Sequence, residues 1–160
     1  MKILFVCLGN ICRSPAAEAV FKNMTDNQGQ SVKFEVDSAG TYGGHAGSLP
    51  DSRMRDACFR RGYKSEHRSR VLTRNDFYHF DMIITMDDSN YRNVCRMSPG
   101  KEYTVKIRRF CEFCREFDID EVPDPYYQGR SGFEYVLDIL EDGCAGLLNQ
   151  LRITNYELRV

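Results

Sequence analysis

The chain has 160 residues, of which 42% are hydrophobic and 28% charged, and its formal net charge is −1. That length and apolar content suit one domain over residues 1–160 with a real core, and leave little material for a second. Charges of both signs are interspersed, which excludes a basic field for nucleic acid and a polybasic patch for a membrane surface.

Residues 2–7 form an apolar run that predicts a strand ending in Cys7. One lysine precedes the run and Gly9 closely follows it, so it is too short for a signal peptide or a spanning helix, and a cytoplasmic protein is expected. A helical pattern opens at Ser14-Pro15, which places Ser14 at the N-cap. Further strands are predicted near 32–38, 81–86 and 104–107, where Val, Ile and Phe gather between turn residues. Between them, one helix starts near Asp51 and stops near Gly62, a short one starts at Thr73 with Asp76 three residues on, and another follows Asp88. The last helix is predicted from a capping box, Ser131 to Glu134, after which Phe133, Val136, Leu140, Cys144, Leu147 and Leu151 recur at helical spacing. Alternating strands and helices predict an α/β fold: a single-domain, doubly wound, parallel four-stranded sheet with helices on both faces. Ligands in such sheets bind at the carboxyl ends of strands, where Cys7 falls.

The chemistry concentrates there. A strand ending in a thiol, a loop with Gly9 and Asn10, and a helix opening just after Arg13 bring backbone N–H groups and a guanidinium around one point suited to a phosphate. A helix N-terminus and a neighbouring arginine favour the thiolate of Cys7, the nucleophilic form. Ionisation alone raises the nucleophile's population about thirtyfold, worth roughly 2 kcal/mol, so Arg13 and the amides of residues 8–14 must supply most of any acceleration. Gly9 and Asn10 both tolerate the left-handed backbone that such a loop requires, and the Ser14 hydroxyl is within reach of the sulfur. Pro123-Asp124-Pro125 is rigid and non-helical, and by itself reads as a turn.

The run Cys7-Leu8-Gly9-Asn10-Ile11-Cys12-Arg13-Ser14-Pro15 resembles the signature of the low-molecular-weight protein tyrosine phosphatases. Asp37-Ser38-Ala39-Gly40-Thr41, Met86-Asp87-Asp88-Ser89-Asn90 and Asp124-Pro125-Tyr126-Tyr127 resemble the family's later blocks, in order, so that the resemblance covers nearly the whole chain. It implies that Cys7 is the nucleophile, Arg13 the phosphate clamp and Asp124 the general acid, with no metal and no cofactor. It implies that Leu8, Gly9, Asn10, Ile11, Cys12 and Ser14 hold the phosphate, and that Ser38 and His67 brace the loop through Asn10. Cys12 and Cys7 are implied to form a reversible protective disulfide, although a small residue facing the helix reads equally well at Cys12. Tyr126 and Tyr127 are expected to form one wall of the cleft. The family's large aromatic on the opposite side falls at Gly44 here, with Tyr42 the available replacement.

The implied substrate is a phosphotyrosine protein or aryl phosphate, and phosphate or vanadate would inhibit. An arsenate reductase of the same fold would need a redox cysteine pair on a segment where only Cys95 lies. A protein arginine phosphatase typically has Thr at Ile11 and lacks the second tyrosine. A phosphate-binding module would need neither the thiol nor the acid. Among the remaining residues, Cys111 and Cys114 lack the second Cys/His pair of a zinc site and read as structural. Cys58, Cys95 and Cys144 read as core, Asp87 as an orienting carboxylate, and Arg53, Arg55, Arg60 and Arg61 as a solvated helix face. No role is assigned to His45 or His79.

Overall fold

The computed structural model describes the backbone of residues 1–157 and the side chains of residues 1–152. Four strands, β1 (Lys2–Cys7), β2 (Glu35–Gly40), β3 (Met82–Thr85) and β4 (Ile107–Arg109), form one parallel sheet in the order β2-β1-β3-β4. β1 is central, pairing with β2 from Lys2↔Glu35 to Cys7↔Gly40 and with β3 from Ile3↔Met82 to Val6↔Thr85. The order reverses direction at β1, so the crevice between the carboxyl ends of β1 and β3 is the switch point at which such sheets bind ligands. Cys7 ends β1 and Asp87 follows β3 by two residues.

β1 is buried from Ile3 to Cys7, as a strand covered on both faces must be. Alternation sends Ile3, Phe5 and Cys7 into a core with α1 (Arg13–Asn27), α2 (Ser52–Arg60) and α6 (Arg130–Glu157). Leu4 and Val6 face the other core, formed with α3 (Arg74–His79) and α4 (Asp88–Met97). Full burial of Phe5, Phe21, Phe77 and Phe110 contributes about 2–3 kcal/mol each relative to exposure. A short helix, α5 (Lys101–Thr104), precedes β4, and a 3₁₀ turn, Phe110–Phe113, follows it. That turn lies hard against α6: a Cβ on Gly146 would stand 1.9 Å from the Phe113 carbonyl oxygen, so only glycine fits.

Several expected boundaries move. Residues 31–33 form a 3₁₀ turn and β2 runs on to Gly40, because the ladder with β1 continues to Cys7. The strand expected at 104–107 is instead β4 from Ile107, the first residue paired with β3; Val105 is exposed. Ser14 is not the N-cap of α1: Cys12 holds that position without a side-chain bond, while the Ser14 hydroxyl turns toward Cys7. Ser131 likewise lies inside α6, which starts at Arg130, and Glu134 is drawn away to Arg60 and Arg61. The capping box predicted at Thr73 and Asp76 is present. Cys58 and Cys144 are buried, whereas Cys95 is only partly so.

Candidate active site

β1 delivers Cys7 to the switch point, and residues 8–12 wrap a cavity of about 220 Å³ before α1 begins. Asn10 turns the loop with φ 55° and is the sole non-glycine residue with positive φ among the described residues; Gly9 does not share that conformation. Asn10 is fully buried beneath the loop, and its amide is saturated. Nδ2 donates to Ser14 Oγ at 2.8 Å and Ser38 Oγ at 3.0 Å, while Oδ1 accepts from Arg70 N–H at 3.0 Å and meets His67 Nε2 at 3.1 Å. Since that oxygen is an acceptor, His67 Nε2 is the donor.

Ser38 and His67 therefore converge on Asn10 as expected, and residues given no role join them. Ser38 donates to Glu18 Oε2 at 2.7 Å, and His67 Nδ1 lies 3.3 Å from both Glu18 and Asp37. Glu18 stands one helical turn beyond Ser14, the only signal in the sequence for its position. Gly40 completes the packing, since a Cβ there would stand 2.6 Å from Leu8 O. Among the described residues, Glu18, Asp37 and His67 are the one group with metal-ligating geometry. Each is already engaged in this brace.

The sulfur of Cys7 lies 3.1 Å from Ser14 Oγ. Arg13 is 2% exposed, and its guanidinium is divided: Nη1 donates to Asp87 Oδ2 at 2.6 Å and Val122 O at 3.0 Å, Nη2 to Asp124 Oδ2 at 3.2 Å. Burial works against its charge, but Cys7, Asp87 and Asp124 outweigh it and hold the guanidinium pKa above its ordinary value. Asp87 also caps α4 by accepting from Asn90 N–H at 2.7 Å, so the expected orienting carboxylate is anchored at both ends. Burial, then Asp51 and Cys7, push the Cys12 thiol well above its usual range, which keeps it a thiol beside Cys7.

Leu8, Gly9, Ile11 and Cys12 line the cavity with Cys7, Arg13 and Asp124, whereas Asn10 and Ser14 support it from below. Tyr126 and Tyr127 form one wall, their rings 4.9 Å apart, and Asp124 Oδ1 accepts from Tyr126 N–H at 3.1 Å. Tyr42 and His45 form the other. A Cβ on residue 44 would fall 2.2 Å from the Tyr42 ring, so Tyr42 occupies the space that a side chain at Gly44 would need. Three of the four arginines expected on a solvated face have partners. Arg53 packs over Tyr126 and Phe133, while Arg60 and Arg61 bridge to Glu134 and α6.

The sequence pattern described as low molecular weight phosphotyrosine protein phosphatase matches residues 2–156. The chain belongs to that family. A low molecular weight phosphotyrosine protein phosphatase of Schizosaccharomyces pombe is 42% identical over 134 residues, which are 83% of this chain and 85% of the yeast protein. A protein tyrosine phosphatase of Entamoeba histolytica, crystallised with Hepes in its active site, superposes with a TM-score of 0.94 at 47% identity, covering 97% of this chain and 99% of that one. A Drosophila arginine phosphatase superposes with a TM-score of 0.87 at 34% identity, over 94% and 98% of the two chains. The low molecular weight phosphatase fold thus covers the whole described core, and no helix among the described residues is long and apolar enough to cross a membrane.

Proposed function

We propose that this phosphatase hydrolyses phosphotyrosine, or a related aryl phosphate, through a cysteinyl-phosphate intermediate on Cys7. The observation that carries the reading is the convergence of Cys7, Arg13 and Asp124 on one cavity walled by aromatic rings. Cys7 Sγ attacks phosphorus in line, while the loop amides and Arg13 take up charge on the equatorial oxygens. Nη1 stays on Asp87 and Val122; Nη2 passes from Asp124 to a phosphoryl oxygen. Asp124, thereby freed, takes up a proton from solvent and passes it to the departing phenolic oxygen, a contribution of about 10² to 10⁴ in rate. In the second step its carboxylate takes a proton from the attacking water, the S–P bond breaks, and phosphate leaves. Ser14 steadies the departing sulfur.

The test is Cys7→Ser. Turnover of phosphotyrosine peptide is lost while vanadate and phosphate still bind; retained turnover overturns the nucleophile assignment. Likeness to an arginine phosphatase makes phosphoarginine the second reading, and wild-type turnover of phosphotyrosine against phosphoarginine peptides decides it. The apolar Ile11 in the cavity and the paired tyrosines favour an aryl ester. An arsenate reductase is disfavoured because Cys111 and Cys114 line a different cavity from Cys7. All seven thiols are free, which supports a reducing compartment such as the cytoplasm.

A further inference from the structure

Cys111 and Cys114 take no part in the reaction above. Cys111 lies in the 3₁₀ turn Phe110–Phe113 and Cys114 follows it directly, its N–H donating to Cys111 O at 3.2 Å. In a 3₁₀ turn, side chains at i and i+3 eclipse, and a rise of about 2.0 Å per residue puts their Cα atoms about 6 Å apart. A disulfide requires a Cα separation of about 4.4–6.8 Å. Cys114 holds the Cys111 thiol below its ordinary range, and Cys111, together with burial, holds the Cys114 thiol above it. Both residues are half-buried on the wall of a cavity of 860 Å³ that shares no residue with the Cys7 site. Asp88, Glu112, Asp118, Asp120 and Glu121 outnumber Arg109 on that wall and make it acidic.

We propose that Cys111 and Cys114 form a second redox site, a dithiol that low-molecular-weight disulfides convert reversibly into an intramolecular disulfide. The Cys111 thiolate attacks one sulfur of the incoming disulfide, forming a mixed disulfide and expelling the first small thiolate. The Cys114 sulfur then attacks Cys111 Sγ, its proton passing to solvent and the second small thiolate leaving. Two electrons and two protons leave the protein, and one small disulfide becomes two thiols. The acidic wall selects cationic or neutral disulfides over anionic ones. The bond would close at the root of the segment that carries Asp124. Asp142 pins that segment by accepting from the N–H groups of Arg115, Glu116 and Phe117.

The test treats the intact wild-type protein with cystamine, 2-hydroxyethyl disulfide or oxidised glutathione, then alkylates it and digests it with trypsin. Cleavage after Arg109 and Arg115 releases one peptide with both cysteines, separate from the peptide bearing Cys7 and Cys12. The expected result is a peptide lighter by two hydrogens, restored by dithiothreitol, forming at least about tenfold faster with cystamine than with oxidised glutathione at low salt. In Cys111→Ser, Cys114 should react at least about tenfold more slowly. A peptide that keeps both thiols, carries two separate mixed disulfides, or reacts only after a chelator strips bound zinc overturns the proposal.

Discussion

Asn10→Ala is the sharpest perturbation of the loop, because one side chain joins four partners from three parts of the chain. The Arg70 N–H loses its acceptor, at about 1–3 kcal/mol for a buried orphan donor, and the bonds to Ser14, Ser38 and His67 add about 0.5–1.5 kcal/mol each. The left-handed backbone adds about 1–2 kcal/mol for alanine. Water entering the vacated space offsets part of this, so the lower end, about 4 kcal/mol, is expected, or roughly 8–16 °C in Tm for a domain of this size. Asn10→Gly loses the same bonds but not the backbone preference, and glycine's entropy cost of about 0.5–1 kcal/mol leaves it about 0.5–1 kcal/mol more stable than the alanine protein. Urea and thermal unfolding of the three proteins, with and without phosphate, measure both differences. A loss below about 1 kcal/mol for Asn10→Ala, or an alanine protein more stable than the glycine one, would refute the view that this amide holds the loop.

Gly146→Ala would ordinarily stabilise a helix, yet here the added methyl meets the Phe113 carbonyl, so a net loss of about 1–3 kcal/mol is expected in urea unfolding. Arg60, then Arg61, hold the Glu134 carboxyl below the usual glutamate range. A carboxyl lowered in the folded state contributes stability above its unfolded pKa of about 4.3, and that contribution is lost as pH falls through the folded value. Glu134→Gln should therefore lower the urea midpoint at neutral pH and leave it nearly unchanged near pH 3; an equal effect at both pH values would exclude the ion pairs. Asp124→Asn should slow hydrolysis most for aryl phosphates with poor leaving groups, and a uniform loss across the leaving-group series would remove the acid role.

The strand-loop-helix around Cys7 was legible because it is local: Cys7, Asn10, Arg13 and Ser14 lie within eight residues, and backbone chemistry dictates the turn. Asp124 and His67 were not legible by spacing alone and came through resemblance to the family, since their placement depends on crossovers that bring distant segments to the carboxyl end of the sheet. The part of Glu18 in the brace was missed for the same reason, and His45 was left without a role because nothing local marks it as facing Tyr126. Capping signals proved ambiguous where a tertiary partner competed. Ser14 gave its hydroxyl to the sulfur site, and Glu134 gave its carboxylate to Arg60 and Arg61 at the end of α2, whereas Thr73 and Asp76, with only Arg70 in addition, kept the predicted box.

Arg13 reaches the cavity with one nitrogen already fastened to Asp87 and Val122. A free arginine surrenders about 1.5–2 kcal/mol of rotamer freedom each time it closes on an anion. Here that ordering is settled once, when the chain folds, and is not repeated in each catalytic cycle. The incoming ester meets a fork that is already aimed, and the one internal group it must evict from that fork is Asp124, the acid the next step requires.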